Sequence, residues 1–137
     1  MKGRDIGQHY ILDGQRPVKA TLDEWARWFG TADRHVAKTT TELHVISTVF
    51  LGLDHNYSDR GPPILFESMV FAREGGESDI DVQWRYASWD DALAGHKALL
   101  RQVMDVEKKA NEGLAKLPKI RAKAAAEVKA KREAESG

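Results

Sequence analysis
Two apolar runs dominate the pattern of the chain. Val45 to Leu53 reads VISTVFLGL and Ile64 to Ala72 reads ILFESMVFA, with the polar stretch Asp54 to Pro63, DHNYSDRGPP, between them. β-branched and aromatic runs of this length on either side of a Gly-Pro-Pro-ended loop predict a long hairpin at the centre of a sheet. In the first arm Val45, Ser47, Val49, Leu51 and Leu53 share one face, and Ile46, Thr48, Phe50 and Gly52 the other. In the second arm Ile64, Phe66, Ser68, Val70 and Ala72 oppose Leu65, Glu67, Met69 and Phe71. Neither arm alternates cleanly between apolar and polar, which predicts strands covered on both faces. Glu67 breaks the apolar run on its face, and a carboxylate placed there needs a partner. A structural ion pair is the first reading.

The flanking segments supply the other elements. His9 to Leu12 and Pro17 to Ala20 read as short strands about the turn signal Asp13-Gly14. Thr21 and Glu24 have capping-box spacing and open a helix whose stripe is Leu22, Trp25, Phe29 and Ala32, with Trp28 at its edge. His35 to Thr40 reads as a strand that turns near Thr41-Glu42 into the hairpin. Arg73 to Asp79 is a charged, glycine-containing turn, and Val82 to Ala87 alternates. Val82, Trp84 and Tyr86 share one of its faces, Gln83 and Arg85 the other.

Ser88 caps a long helix with the stripe Trp89, Ala92, Leu93, His96, Leu99, Leu100 and Val103, and Asn111 to Gly113 reads as its stop. From Leu114 to Gly137 the composition turns to Ala, Lys and Glu. Seven basic residues there stand against three acidic ones, a net of plus four, and Pro118 suits the start of a new helix. The predicted fold is α+β. It has an antiparallel sheet of about five strands, two helices packed mainly on one face, and a basic helical extension. Residues 1–8 read as a flexible N-terminus, 9–113 as the domain and 114–137 as the charged tail.

Composition narrows the chemistry. The 137 residues suit one domain with an extension, and the formal net charge of zero gives no global pull towards nucleic acid or acidic membranes. There are no cysteines, so disulfides and thiolate metal sites are excluded. No apolar run approaches the ~20 residues of a membrane span, and MKGRDIGQHY lacks the apolar centre of a signal peptide. No phosphate-binding loop, dinucleotide fingerprint or nucleophile elbow is present. The five histidines lack metal-site spacing, so no cofactor or metal is expected. His96 reads as a satisfied core histidine, and the chain is expected not to be an enzyme.

The loop collects Asp54, His55, Asn56, Tyr57, Asp59 and Arg60 at one end of the hairpin. Loops on rigid scaffolds are where binding residues concentrate, and Pro62-Pro63 restricts this one. Three further readings compete with macromolecular binding. One is a module sequestering a small anionic signal between Arg60, Arg85 and the Trp84/Tyr86 face. Another is a small hydrolase using Asp54, His55, Glu67 and His96. The last is a virion-associated structural part.

Five segments carry a resemblance. They are YILDG (Tyr10 to Gly14), the Trp25/Trp28 helix with Ala32-Asp33-Arg34, STVFLGLDHNY (Ser47 to Tyr57), GPPILFESMVF (Gly61 to Phe71) and RYASWDDALAGH (Arg85 to His96). Together they resemble a family of small uncharacterised proteins encoded by tailed phages and prophages, over roughly Tyr10 to Val103. The Arg73 to Asp81 insertion and the basic tail depart from the family's pattern. The resemblance implies an origin and no chemistry. It leads to the expectation of a phage accessory protein that binds a host or phage protein, such as a bacterial defence (CRISPR-type) component, in the cytoplasm of the infected host. The tail offers a nucleic-acid contact, and the two-sided apolar hairpin suggests a homodimer.

Overall fold
A computed structural model describes residues 8–115. The elements in chain order are β1 (His9–Asp13), β2 (Arg16–Ala20), α1 (Leu22–Phe29), β3 (His35–Thr40), β4 (His44–Phe50), β5 (Phe66–Ala72), β6 (Gln83–Tyr86) and α2 (Trp89–Ala115). β3, β4, β5 and β6 form a four-stranded antiparallel sheet in that order, and β1 pairs with β2 as a separate hairpin. The fold is α+β.

The two apolar arms are the central pair. Their register runs from His44 opposite Ala72 to Phe50 opposite Phe66. Burial along β4 follows the pleat: His44, Ile46, Thr48 and Phe50 are buried, and Val45, Ser47 and Val49 half-buried. α2 lies on the buried face. Its Ala92, His96, Leu99 and Val103 are all at most 3 % exposed, at the i, i+3, i+4 spacing of one helical stripe. Two apolar clusters fill the interface. Phe50 and Phe66 join Tyr10, Leu65 and Ala92 at one end; Ile46 and Val70 join Leu99 and Val103 at the other. Thr21 and Glu24 form the capping box of α1, and Ser88 Oγ accepts from Asp91 N at the start of α2.

The first apolar arm ends at Phe50, two residues before Gly52. That glycine sits at φ +80, and a Cβ on it would come within 2.9 Å of both Phe29 and Trp25. The chain turns there and takes the β1 hairpin as its new neighbour, with Tyr10 N donating to Gly52 O and a bridge between His9 and Leu53. The expected single sheet of about five strands is therefore a four-stranded sheet with a two-stranded hairpin at its end. α1 packs on that hairpin, and Trp28 meets Phe50 edge-on at 5.6 Å.

Two other expectations change. Asn111 to Gly113 does not stop α2, which continues to Ala115; a glycine in an exposed helix costs only about 1 kcal/mol relative to alanine. Among the described residues the sheet is covered on one face only. The other face shows half-buried Val45, Ser47, Val49 and Met69, and Phe71 is exposed. The expectations for residues 1–7 and for the tail beyond Ala115, Pro118 included, lie outside the described residues.

Candidate functional site
The loop between β4 and β5 is built around two inward-facing side chains. Asp54 is buried, and its Oδ1 accepts from Asn56 N at 2.7 Å and from Ile64 N at 3.0 Å, tying the two ends of the loop together. Asn56 is buried too. Its Nδ2 donates to Arg60 O at 2.7 Å and Pro62 O at 2.8 Å, and its Oδ1 accepts from Ser58 N at 3.0 Å. Gly61, at φ +83, makes the return. Both side chains satisfy loop backbone that no sheet ladder reaches.

The brace leaves the remaining loop side chains outward. Tyr57 is 82 % exposed, and Asp59 and Arg60 are exposed. His55 is half-buried, with Nδ1 donating to Leu53 O at 2.8 Å and its ring 6.1 Å from that of Tyr57. Of the residues predicted for this surface, His55, Tyr57 and Arg60 form it, with Asp59 beside them. Asp54 and Asn56 hold it in shape instead.

The other predicted residues lie apart. Glu67 is buried on the face of the sheet away from α2, where its Oε2 accepts from Arg85 Nε at 3.0 Å, as expected of an ion pair. Trp84 and Tyr86 turn to the α2 side of the same strand and join the two apolar clusters. Arg85 and the Trp84/Tyr86 face thus cannot wall one anion pocket, because neighbours on a strand point to opposite faces. The Asp54, His55, Glu67 and His96 quartet is likewise dispersed. Each of the four has different partners, and Glu67 and His96 lie on opposite faces of the sheet.

His96 instead joins a hydrogen-bonded chain beneath α2. Tyr86 OH donates to Ser68 Oγ at 3.0 Å, Ser68 Oγ lies 2.5 Å from Thr48 Oγ1, and Thr48 Oγ1 lies 2.7 Å from His96 Nδ1. His96 Nε2 reaches Thr39 Oγ1 at 2.8 Å. Burial lowers the His96 pKa, so the ring is neutral, and a proton on Nε2 lets every hydroxyl donate once in one direction. Burial also raises the Tyr86 pKa.

A second cluster was not foreseen. His44 Nδ1 lies 2.6 Å from Glu107 Oε2, and His44 Nε2 lies 2.9 Å from Asp79 Oδ1. Glu107 Oε2 also accepts from Thr41 Oγ1 at 2.6 Å and Leu43 N at 3.1 Å. Burial opposes the charge on His44, but the bonds and charges of Asp79 and Glu107 prevail and raise its pKa. Burial opposes the Glu107 charge as well, yet the bonds from Thr41, His44 and Leu43 prevail and lower its pKa. The bond from His44 lowers that of Asp79. The signal for this cluster lies in position. Glu107 stands four residues beyond Val103 on the buried stripe, and His44 shares the parity of Ile46, Thr48 and Phe50.

No group of three or more His, Asp or Glu among the described residues is placed to hold a metal ion, and no described helix is long and apolar enough to cross a membrane. No family model, curated protein or solved structure matches the chain.

Proposed function
We propose that this is a phage-encoded accessory protein that works by binding a host macromolecule through the loop of residues 54–63. The supporting observation is Tyr57, 82 % exposed on a loop whose backbone is braced by Asp54 and Asn56. Tyrosine and arginine are residue types enriched in interface hot spots, and a preformed loop loses little conformational freedom on binding. The phage resemblance supplies the choice of partner, a bacterial protein of the defence kind met in the host cytoplasm. The uncovered face of the four-stranded sheet, with Met69 and Phe71, supports the accompanying reading of a homodimer.

The test is capture from a host lysate with wild-type protein and a Tyr57→Ala/Arg60→Ala variant side by side. Exposed substitutions of this kind change stability by less than about 0.5 kcal/mol, so the variant should melt with the wild type. A host protein retained by the wild type and lost from the variant supports the reading. Equal retention by both proteins, or none by either, rejects it.

A further inference from the structure
The His44 cluster is separate from the binding loop and joins three elements. His44 opens β4, Glu107 comes from α2, and Asp79 comes from the segment 73–82 between β5 and β6. The His44 side chain is 5 % exposed, and among the described residues its two ring nitrogens have these carboxylates alone as partners. A carboxylate with a depressed pKa is ionised and can only accept. Both ring nitrogens can donate at once only as a doubly protonated imidazolium, the form that the two flanking carboxylates favour.

The two carboxylates are not equivalent. The Glu107 side chain is 8 % exposed and also receives Thr41 and Leu43, so it has nowhere else to turn. The Asp79 side chain is 81 % exposed, and water can replace His44 as its partner. When the ring gives up one proton, the proton on Nδ1 stays with Glu107 and Nε2 becomes an acceptor facing an acceptor. The bond to Asp79 is the one that breaks. The packed elements carry further charged groups: Glu42 and Arg73 flanking the strand ends, Glu77 and Asp81 on the 73–82 segment, and Asp105 and Lys108 flanking Glu107 on α2; among the described residues only Asp79 and Glu107 bond the ring.

Asp79 carries the tip of a segment that walls a groove of about 550 Å³ along β5, lined by Met69, Phe71, Gly76, Glu77, Ile80 and Asp81. Gly75 and Gly76, at φ +99 and +87, give the tip its bend. Its other polar ties among the described residues are local: Gly75 N donates to Ala72 O, Glu77 bridges Phe71, and Ile80 N donates to Ser78 Oγ. Beyond the tip, Ile80 and Val82 pack on the cluster under α2 and fix its far end.

We propose that His44 is a proton-operated latch. Its imidazolium ties the 74–79 tip to the domain through Asp79, and loss of the Nε2 proton frees the tip that forms one wall of the groove along β5. The latch is closed while Asp79 and Glu107 are ionised and the ring holds both protons, and it opens as the pH rises through the His44 titration. The device is independent of the binding loop, so either reading can fail without the other.

The test is NMR on the full chain. The His44 ring carbon signals report its protonation, and the heteronuclear NOE values of residues 74–79 report the order of the tip. In the wild type the NOE values fall as the pH passes the His44 midpoint. In Asp79→Asn the midpoint moves to lower pH and the pH response of the tip is lost. This substitution is at an exposed side chain and leaves the fold intact, whereas His44→Gln alters a buried ring. A tip whose order is constant through the His44 midpoint, or a wild-type response in Asp79→Asn, overturns the proposal.

Discussion

Gly95 makes a sharp test of how α2 sits on the sheet. It lies mid-helix, where Gly→Ala normally stabilises by up to about 1 kcal/mol through helix propensity. Here a Cβ would overlap the hydroxyl and ring of Tyr86. Tyr86 cannot move away freely, because its ring is part of the Phe50/Phe66 cluster and its hydroxyl serves Ser68. Relieving such overpacking costs about 1 to 3 kcal/mol. Losing the bond to Ser68 adds about 1 kcal/mol. Gly95→Ala is therefore expected to destabilise the protein by a net ~1 to 3 kcal/mol despite its better propensity. The assay is urea unfolding by circular dichroism, with Tyr86→Ala as the second variant. Once the ring is gone, Gly95→Ala should regain its propensity and become stabilising by about 0.5 to 1 kcal/mol. The double-mutant cycle should then show a coupling of ~1.5 to 4 kcal/mol. A stabilised Gly95→Ala protein, or additive effects of the two substitutions, would refute the packing argument.

Two further outcomes follow from the buried polar groups. Thr48→Val keeps the shape of the side chain but strips Ser68 and His96 Nδ1 of a partner; it should cost ~2 to 4 kcal/mol in urea unfolding, while Thr48→Ser should restore most of the loss. Stability should also depend on pH through the His44 cluster. The raised His44 pKa contributes stability that is complete below the unfolded value of 6.5 and lost as the pH rises through the folded one. The lowered Glu107 pKa contributes stability that is complete above the unfolded value of 4.5 and lost as the pH falls through the folded one. The contribution of the pair is thus greatest between these two values. Urea midpoints measured from about pH 4 to about pH 9 should show a maximum there that flattens in Glu107→Gln.

Parity and helical spacing made much of the architecture readable. The period-2 assignment put Ile46, Thr48 and Phe50 opposite Val45, Ser47 and Val49, and α2 covers the first set. The stripe from Ala92 to Val103 and both helix caps follow from local rules and stand in the structure. The division into two sheets did not follow. It rests on the backbone angle of Gly52 and on aromatic side chains of α1 that reach it from over twenty residues away. The candidate loop was legible as a segment but not in its division of labour. Asp54 and Asn56 look as polar as Tyr57 and Arg60, and only the closed loop shows that their oxygens and amide serve its own backbone. The His44 cluster depends on pairing residues 63 and 35 positions apart, beyond any local signal.

The strand order of the main sheet has a consequence in time. Every strand pairs with its neighbour in sequence, so the meander can close hairpin by hairpin, its longest connection being the one between Phe50 and Phe66. α2 is the last described element to leave the ribosome, and its bonds to Thr39 and His44 close loops of 57 and 63 residues. Until it arrives, the nascent sheet exposes Ile46, Phe50, Phe66 and Val70, the kind of apolar surface on which partly folded chains aggregate. Thr48 and Ser68 lie in the middle of that surface. A helix that docks one turn out of place would bury their hydroxyls without His96, so the cost of misdocking is written into the centre of the face.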